Sequence, residues 1–176
     1  MHLKIQKLNN QIYNKALDFF SEVFIDKLKS KSTFKESLVA RYLIEKNKNK
    51  FSCISHKKDL VFVWTSDKKI WVDIEVYRER DLNLLDKFSE DEYEILWWKN
   101  WESFYILWTA KESILKLENL KLDNIWKIKL IKKEVILEKI SEIKFQKKLF
   151  FEYFWKFFII LNWFDIDKDI CYSITN

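Results

Sequence analysis

Residues 69–76 read KIWVDIEV, and the reading of this short run decides what the chain can be. In an extended strand, side chains two apart share a face. Asp73 and Glu75 therefore lie on one side of the strand and Ile70, Val72, Ile74 and Val76 on the other. The apolar side packs on a core. The acidic side is either turned to solvent or put to chemical use, and for this run taken alone solvent is the simpler account.

Working outward, FSCIS (51–55) and DLVFVWTS (59–66) precede the acidic run as short β-rich segments with polar breaks, the pattern of a meander. Further upstream, IYNKALDFFSEVFIDKLK (12–29) has helical spacing, with Leu17, Phe20, Phe24 and Leu28 on one stripe. Ser32 or Thr33 is placed to cap a second helix carrying Phe34, Leu38 and Tyr42. Downstream, ERDLNLLDKF (79–88) reads as helical, and Ser89 with Glu92 three residues on forms a capping box. IWKIKLI (125–131), EIKFQ (142–146), the two halves of LFFEYFWKFFIILNWF (149–164) and DICYSIT (169–175) read as strands, giving an α+β chain with an antiparallel-leaning sheet.

Composition sets bounds. A chain of 176 residues, 48% hydrophobic and 34% charged, is one domain or two small halves sharing a core. No run reaches the roughly 18 apolar residues of a membrane helix, and MHLKIQKLNNQ lacks the apolar core of a signal peptide. Cys53 and Cys171 make neither a disulfide framework nor a metal-binding spacing, so a reduced, cytoplasmic setting is expected. The net charge of +5 suits a phosphate-bearing ligand, an acidic protein or nucleic acid without choosing among them.

The run ESFYILWTAKESILKLE (102–118) makes the acidic strand harder to dismiss. At about 100° per residue, Leu107, Ala110, Ile114 and Leu117 form a core stripe, while Tyr105, Thr109, Glu112 and Lys116 gather opposite. Glu112 and Lys116 alone would be a surface ion pair worth about 0.2–0.5 kcal/mol. Lys111, however, falls inside the apolar arc beside Leu107 and Leu115, where it must snorkel or find an anion. Asp73, Glu75 and Glu112 are hard oxygen donors suited to Mg²⁺, and neighbouring lysines would balance phosphate charge. The set points to phosphate chemistry and leaves the reaction open.

The runs WVDIE (71–75) and FYILWTAKESILK (104–116) together resemble the two signatures of the 4'-phosphopantetheinyl transferases, G-[IV]-D-x-E and F-Y-x-x-W-x-x-K-E-[AS]-x-x-K. ISH (54–56) resembles the Ser-His pair of the two-lobed, surfactin-synthetase-activator type, and KFSEDE (87–92) its F-S-x-x-E. The resemblance implies that family's fold: two pseudo-symmetric α/β lobes with antiparallel sheets and a long helix. Residues 1–66 would form a trimmed N-terminal lobe on the coenzyme A side, and 67–176 a C-terminal lobe with the metal site. It implies an enzyme of the holo-[acyl-carrier-protein] synthase kind, acting as a pseudo-dimeric monomer on coenzyme A and an acyl or peptidyl carrier protein, with no role for nucleic acid or membrane. Asp73, Glu75 and Glu112 would hold Mg²⁺, with Glu112 as base and Lys116 as the other catalytic group. Ser55, His56, Lys111, Lys116 and Arg41 would contact coenzyme A. Two alternatives stand beside it: a metal-dependent nuclease, and an impaired relative that only binds coenzyme A or carrier.

The tryptophans carry a separate expectation. The chain has no Gly and no Pro, where ordinary usage predicts about 12 and about 9, and it has 9 Trp. Trp71 stands where the family has glycine. Trp155 and Trp163 stand where turns are expected, the latter after Asn162 in an Asn-Gly hairpin position. Two readings stand for these tryptophans: glycines encoded by UGA and translated under the wrong code, or true tryptophans in an AT-rich, glycine-poor gene; Trp108 belongs to the helix motif in either.

Overall fold

The structure is a computed structural model and describes residues 2–47, 49–140, 143–165 and 170–175. It is α+β with two antiparallel sheets. The first part of the chain gives strand β1 (His2–Lys7), helices α1 (Asn10–Phe19), α2 (Glu22–Lys29) and α3 (Phe34–Lys46), and strands β2 (Phe51–Lys57) and β3 (Leu60–Ser66). Then come β4 (Trp71–Val76), α4 (Glu90–Leu96), α5 (Trp101–Leu117), β5 (Lys129–Ile140), β6 (Ile143–Tyr153), β7 (Lys156–Asp165) and β8 (Ile170–Thr175). The sheets are ordered β1-β3-β2 and β4-β8-β7-β6-β5, so every strand before Ser66 is in one and every strand from Trp71 on is in the other.

Several local expectations change in the fold. The helical run at 12–29 divides, because Phe20 is extended and Ser21 caps α2 by accepting from the Phe24 amide. Residues Leu82–Lys87 form a 3₁₀ turn rather than an α-helix. The N-terminal residues, in which Leu3 and Ile5 alternate with polar neighbours, pair as β1 with β3 from His2↔Thr65 to Lys7↔Leu60. The run 149–164 does fold as two strands, with a turn at Phe154 and Trp155. Asn162-Trp163, by contrast, is no turn: both residues lie inside β7, paired with Ser173 and Tyr172.

Alternation explains how the layers stack. On β3, Val61 and Val63 face Leu38, Val39, Leu43 and Ala16 of the helices α1–α3. Phe62 and Trp64 face the other way, onto Val72, Ile74, Tyr172 and Ile174 of the second sheet. The second sheet's opposite face carries α5, whose Phe104, Leu107, Ala110 and Ile114 join Leu149, Phe151 and Ile160 in the largest core. Strand β4 is thus covered on both sides. Its outer edge, which would otherwise leave backbone donors unpaired, is closed by side chains of β2: the Val72 amide donates to Cys53 Sγ (3.4 Å) and the Ile74 amide to Ser55 Oγ (3.2 Å).

Candidate functional site

The acidic face of β4 is not a solvent face. Asp73 is 2% and Glu75 7% exposed, since α5 packs over them and β2 abuts the strand edge. Burying two carboxylates is costly unless each is paired and hydrogen-bonded. Two elements supply partners. From β2, Ser55 Oγ donates to Asp73 Oδ1 (2.9 Å) and Lys57 Nζ to Glu75 Oε1 (2.8 Å). From α5, Lys116 Nζ lies 2.5 Å from Asp73 Oδ1 and 3.8 Å from Glu112 Oε2. The helical spacing that sets Glu112 and Lys116 together therefore aims both at β4.

The partners do not suffice. Asp73 Oδ2 and Glu75 Oε2 are buried without a hydrogen-bond partner among the described residues. Burial, with Asp73 and Glu75 beside it and Lys116 opposing, pushes the Glu112 carboxyl up to about 7. Asp73 is raised as well, chiefly by burial, with Lys116 and Ser55 resisting. On Lys116 burial pulls downward, but the charge and hydrogen bond of Asp73, aided by Glu112, leave its ammonium raised. Three acids face two ammonium groups, and the excess negative charge sits in a poorly solvated place. Among the described residues no three His, Cys, Asp or Glu side chains are grouped closely enough to form a ready metal cage; two lysines instead stand against the carboxylates.

The structure brings Asp73, Glu75, Glu112, Lys116 and Ser55 together. Lys111, expected at coenzyme A, is elsewhere. It is 1% exposed, its Nζ 2.8 Å from Glu92 Oε1 and 4.3 Å from the centre of the Phe88 ring, where it has no surface to offer a ligand. The anion its apolar position demanded is the capping-box glutamate of α4, which also accepts from the Leu130 amide (2.8 Å) and the Ser89 amide (3.4 Å). His56 follows Ser55 in β2 and so takes the other face of that strand, the side carrying Ile54 and the helical layer. Arg41 is exposed on α3, beyond the first sheet, its guanidinium 5.8 Å from the centre of the Phe24 ring. Neither is brought to the acids.

Two features escaped sequence reasoning. Lys57 is part of the cluster, and the signal was available: it lies two residues after Ser55 and so on the same face. Behind Asp73, Ser173 of β8 shares hydrogen bonds with Thr109 (2.8 Å) and Asn162 (2.8 Å), a buried polar seam between α5 and the sheet. Trp71 shares the acids' face of β4, its indole nitrogen buried and unpaired among the described residues. A scan of the chain against protein-family models finds no match, and no curated protein matches it.

Proposed function

We propose that this protein is a 4'-phosphopantetheinyl transferase of the two-lobed type, with lobes 1–66 and 67–176, moving phosphopantetheine from coenzyme A to a serine of an acyl or peptidyl carrier protein. One observation carries the reading. The two motifs, distant in sequence, meet: Lys116 at the end of the helix motif bonds Asp73 of the acidic strand, with Glu112 one turn earlier. A solvated strand face and a surface ion pair would have no reason to converge in the interior.

The donors suit Mg²⁺. All are carboxylate oxygens, and two of them are buried with nothing to bond. Asp73, Glu75 and Glu112 would hold the ion, which when bound offsets the charge of the coenzyme A diphosphate. Glu112, one helical turn before Lys116, is placed to accept the proton of the carrier serine. As that oxygen bonds to the β-phosphorus, the bond from phosphorus to the bridging oxygen of 3',5'-ADP breaks and ADP departs with its charge. Lys116 steadies the phosphate oxygens during this change, and Ser55 holds Asp73 in place. Lys111 takes no part beyond locking α5 to α4.

Incubation with coenzyme A, Mg²⁺ and several apo-carrier proteins, read by intact mass, tests the proposal. A carrier gaining one phosphopantetheine, dependent on Asp73, is the expected result. No gain on carriers that a control transferase modifies would remove it, and nuclease activity abolished by Asp73→Ala would replace it.

A further inference from the structure

Lys57 has no counterpart among the residues that the sequence motifs single out, yet it stands on one of the two buried carboxylates of β4. It is the last residue of β2, where a two-residue turn at Lys58 and Asp59 begins, Lys58 adopting a left-handed φ of 51°. Its backbone is fixed by pairing with Leu60, and its direction by alternation with Cys53 and Ser55, which bond the edge of β4. From there Nζ reaches Glu75 Oε1 at 2.8 Å. The pair is lopsided: the Glu75 side chain is 9% exposed and that of Lys57 37%. The carboxylate cannot leave, whereas the ammonium can swing into water at small cost.

We infer that Lys57 is a resident competitor for the cation, occupying Glu75 until a divalent ion displaces it, and then free to face the anion that arrives with that ion. This rests on the proposed metal site at Asp73 and Glu75 and deepens it. Charge supports the reasoning. With both lysines in place, a dication added to three carboxylates leaves the cluster positive, so one ammonium must withdraw or a phosphate must enter. Glu75 Oε2, like Asp73 Oδ2, is buried without a partner among the described residues, and a cation at Glu75 would satisfy it. Lys116 is the weaker candidate for withdrawal, because its ammonium is shared between Asp73 and Glu112, whereas Lys57 has one carboxylate to release.

The test uses Mn²⁺ alone, its free concentration followed by electron paramagnetic resonance, with no coenzyme A or carrier present. Lys57→Gln removes the competitor and is expected to tighten Mn²⁺ binding about tenfold, the scale of one partly screened charge at close range. Lys57→Arg keeps the charge and should bind as the wild type does. In a Glu75→Gln background, where the competition has no object, Lys57→Gln should change nothing. A loss of fold would weaken binding, so tightening is a readout that damage cannot imitate. Unchanged or weaker binding in Lys57→Gln, no Mn²⁺ binding by any variant, or tightening that persists without Glu75 would each overturn the inference. If the carrier assay fails while Mn²⁺ behaves as expected, the transferase reading falls and the competition stands.

Discussion

Helix α5 carries a buried lysine–carboxylate contact on each of two faces, and the two are built on opposite lines. On one face Lys111 meets Glu92, and every oxygen of Glu92 is used: by Lys111, the Leu130 amide and the Ser89 amide. Both side chains are under a tenth exposed. On the other face Asp73, Glu75 and Glu112 outnumber Lys116 and Lys57, two buried oxygens have no partner, and both lysines retain access to water. The saturated pair is a lock between helix, capping box and sheet edge. The unsaturated cluster keeps a cost that a saturated interior pair avoids, which makes it the candidate place for the ligand proposed above.

The comparison breaks most visibly if the lock is opened. Lys111→Met leaves Glu92 buried without its counter-charge, and urea unfolding should show a loss of about 3–5 kcal/mol. A loss under about 1 kcal/mol would mean that water reaches Glu92 and that the contrast between the faces is false. The reverse holds for the cluster. Glu112→Gln should lower the proposed phosphopantetheine transfer by roughly 10²-fold or more, the scale of one electrostatic contact to the transition state, while leaving the unfolding midpoint unchanged or higher.

The same variant sharpens the comparison through pH. Glu112 titrates near 7 in the fold against an ordinary 4.5, so the folded state binds this proton more tightly than the unfolded chain. Its contribution to stability is full below about 4.5 and is lost as pH rises through about 7. The metal-free wild type should therefore melt lower at pH 8 than at pH 5, and Glu112→Gln should flatten that slope. An equal slope in both proteins would put the excess charge elsewhere.

A smaller effect is expected next to the lock. Trp97 caps the helix that carries Glu92, with φ 84° and ψ −18°, the left-handed conformation at which helices usually place glycine. Trp97→Gly relieves a bulky side chain of that conformation but removes the ring under Lys133 Nζ, 3.3 Å from its centre. A net gain of about 1 kcal/mol in unfolding free energy is expected. Trp155 is 92% exposed in the β6–β7 turn. The coding DNA should show UGA at 71, 97 and 155 if these are glycines in the organism. UGG at 71 and 97 would end that idea, and Trp163, seated mid-strand, no longer supports it.

Much of this was legible in one dimension because periodicity reports the face a side chain takes on its own element. Alternation placed Asp73 opposite Ile74, and the helical period placed Glu112 with Lys116 and set Lys111 in an apolar arc. The capping box at Ser89 and Glu92 was equally plain, since it is closed within one turn. What faces an element is decided elsewhere. That the acidic side of β4 lies in the interior depends on the first sheet abutting its edge and α5 covering it. That Lys111 meets Glu92 depends on how α4 docks. His56 and Arg41 fall beyond the first sheet because that sheet turns one side to β4 and the other to α1–α3, and Asn162 sits in a buried seam because β7 runs on past it to pair with β8. Chain-local geometry determined which residues could act together. Only packing decided which of them meet, because desolvation and charge pairing depend on neighbours that sequence separation does not reveal.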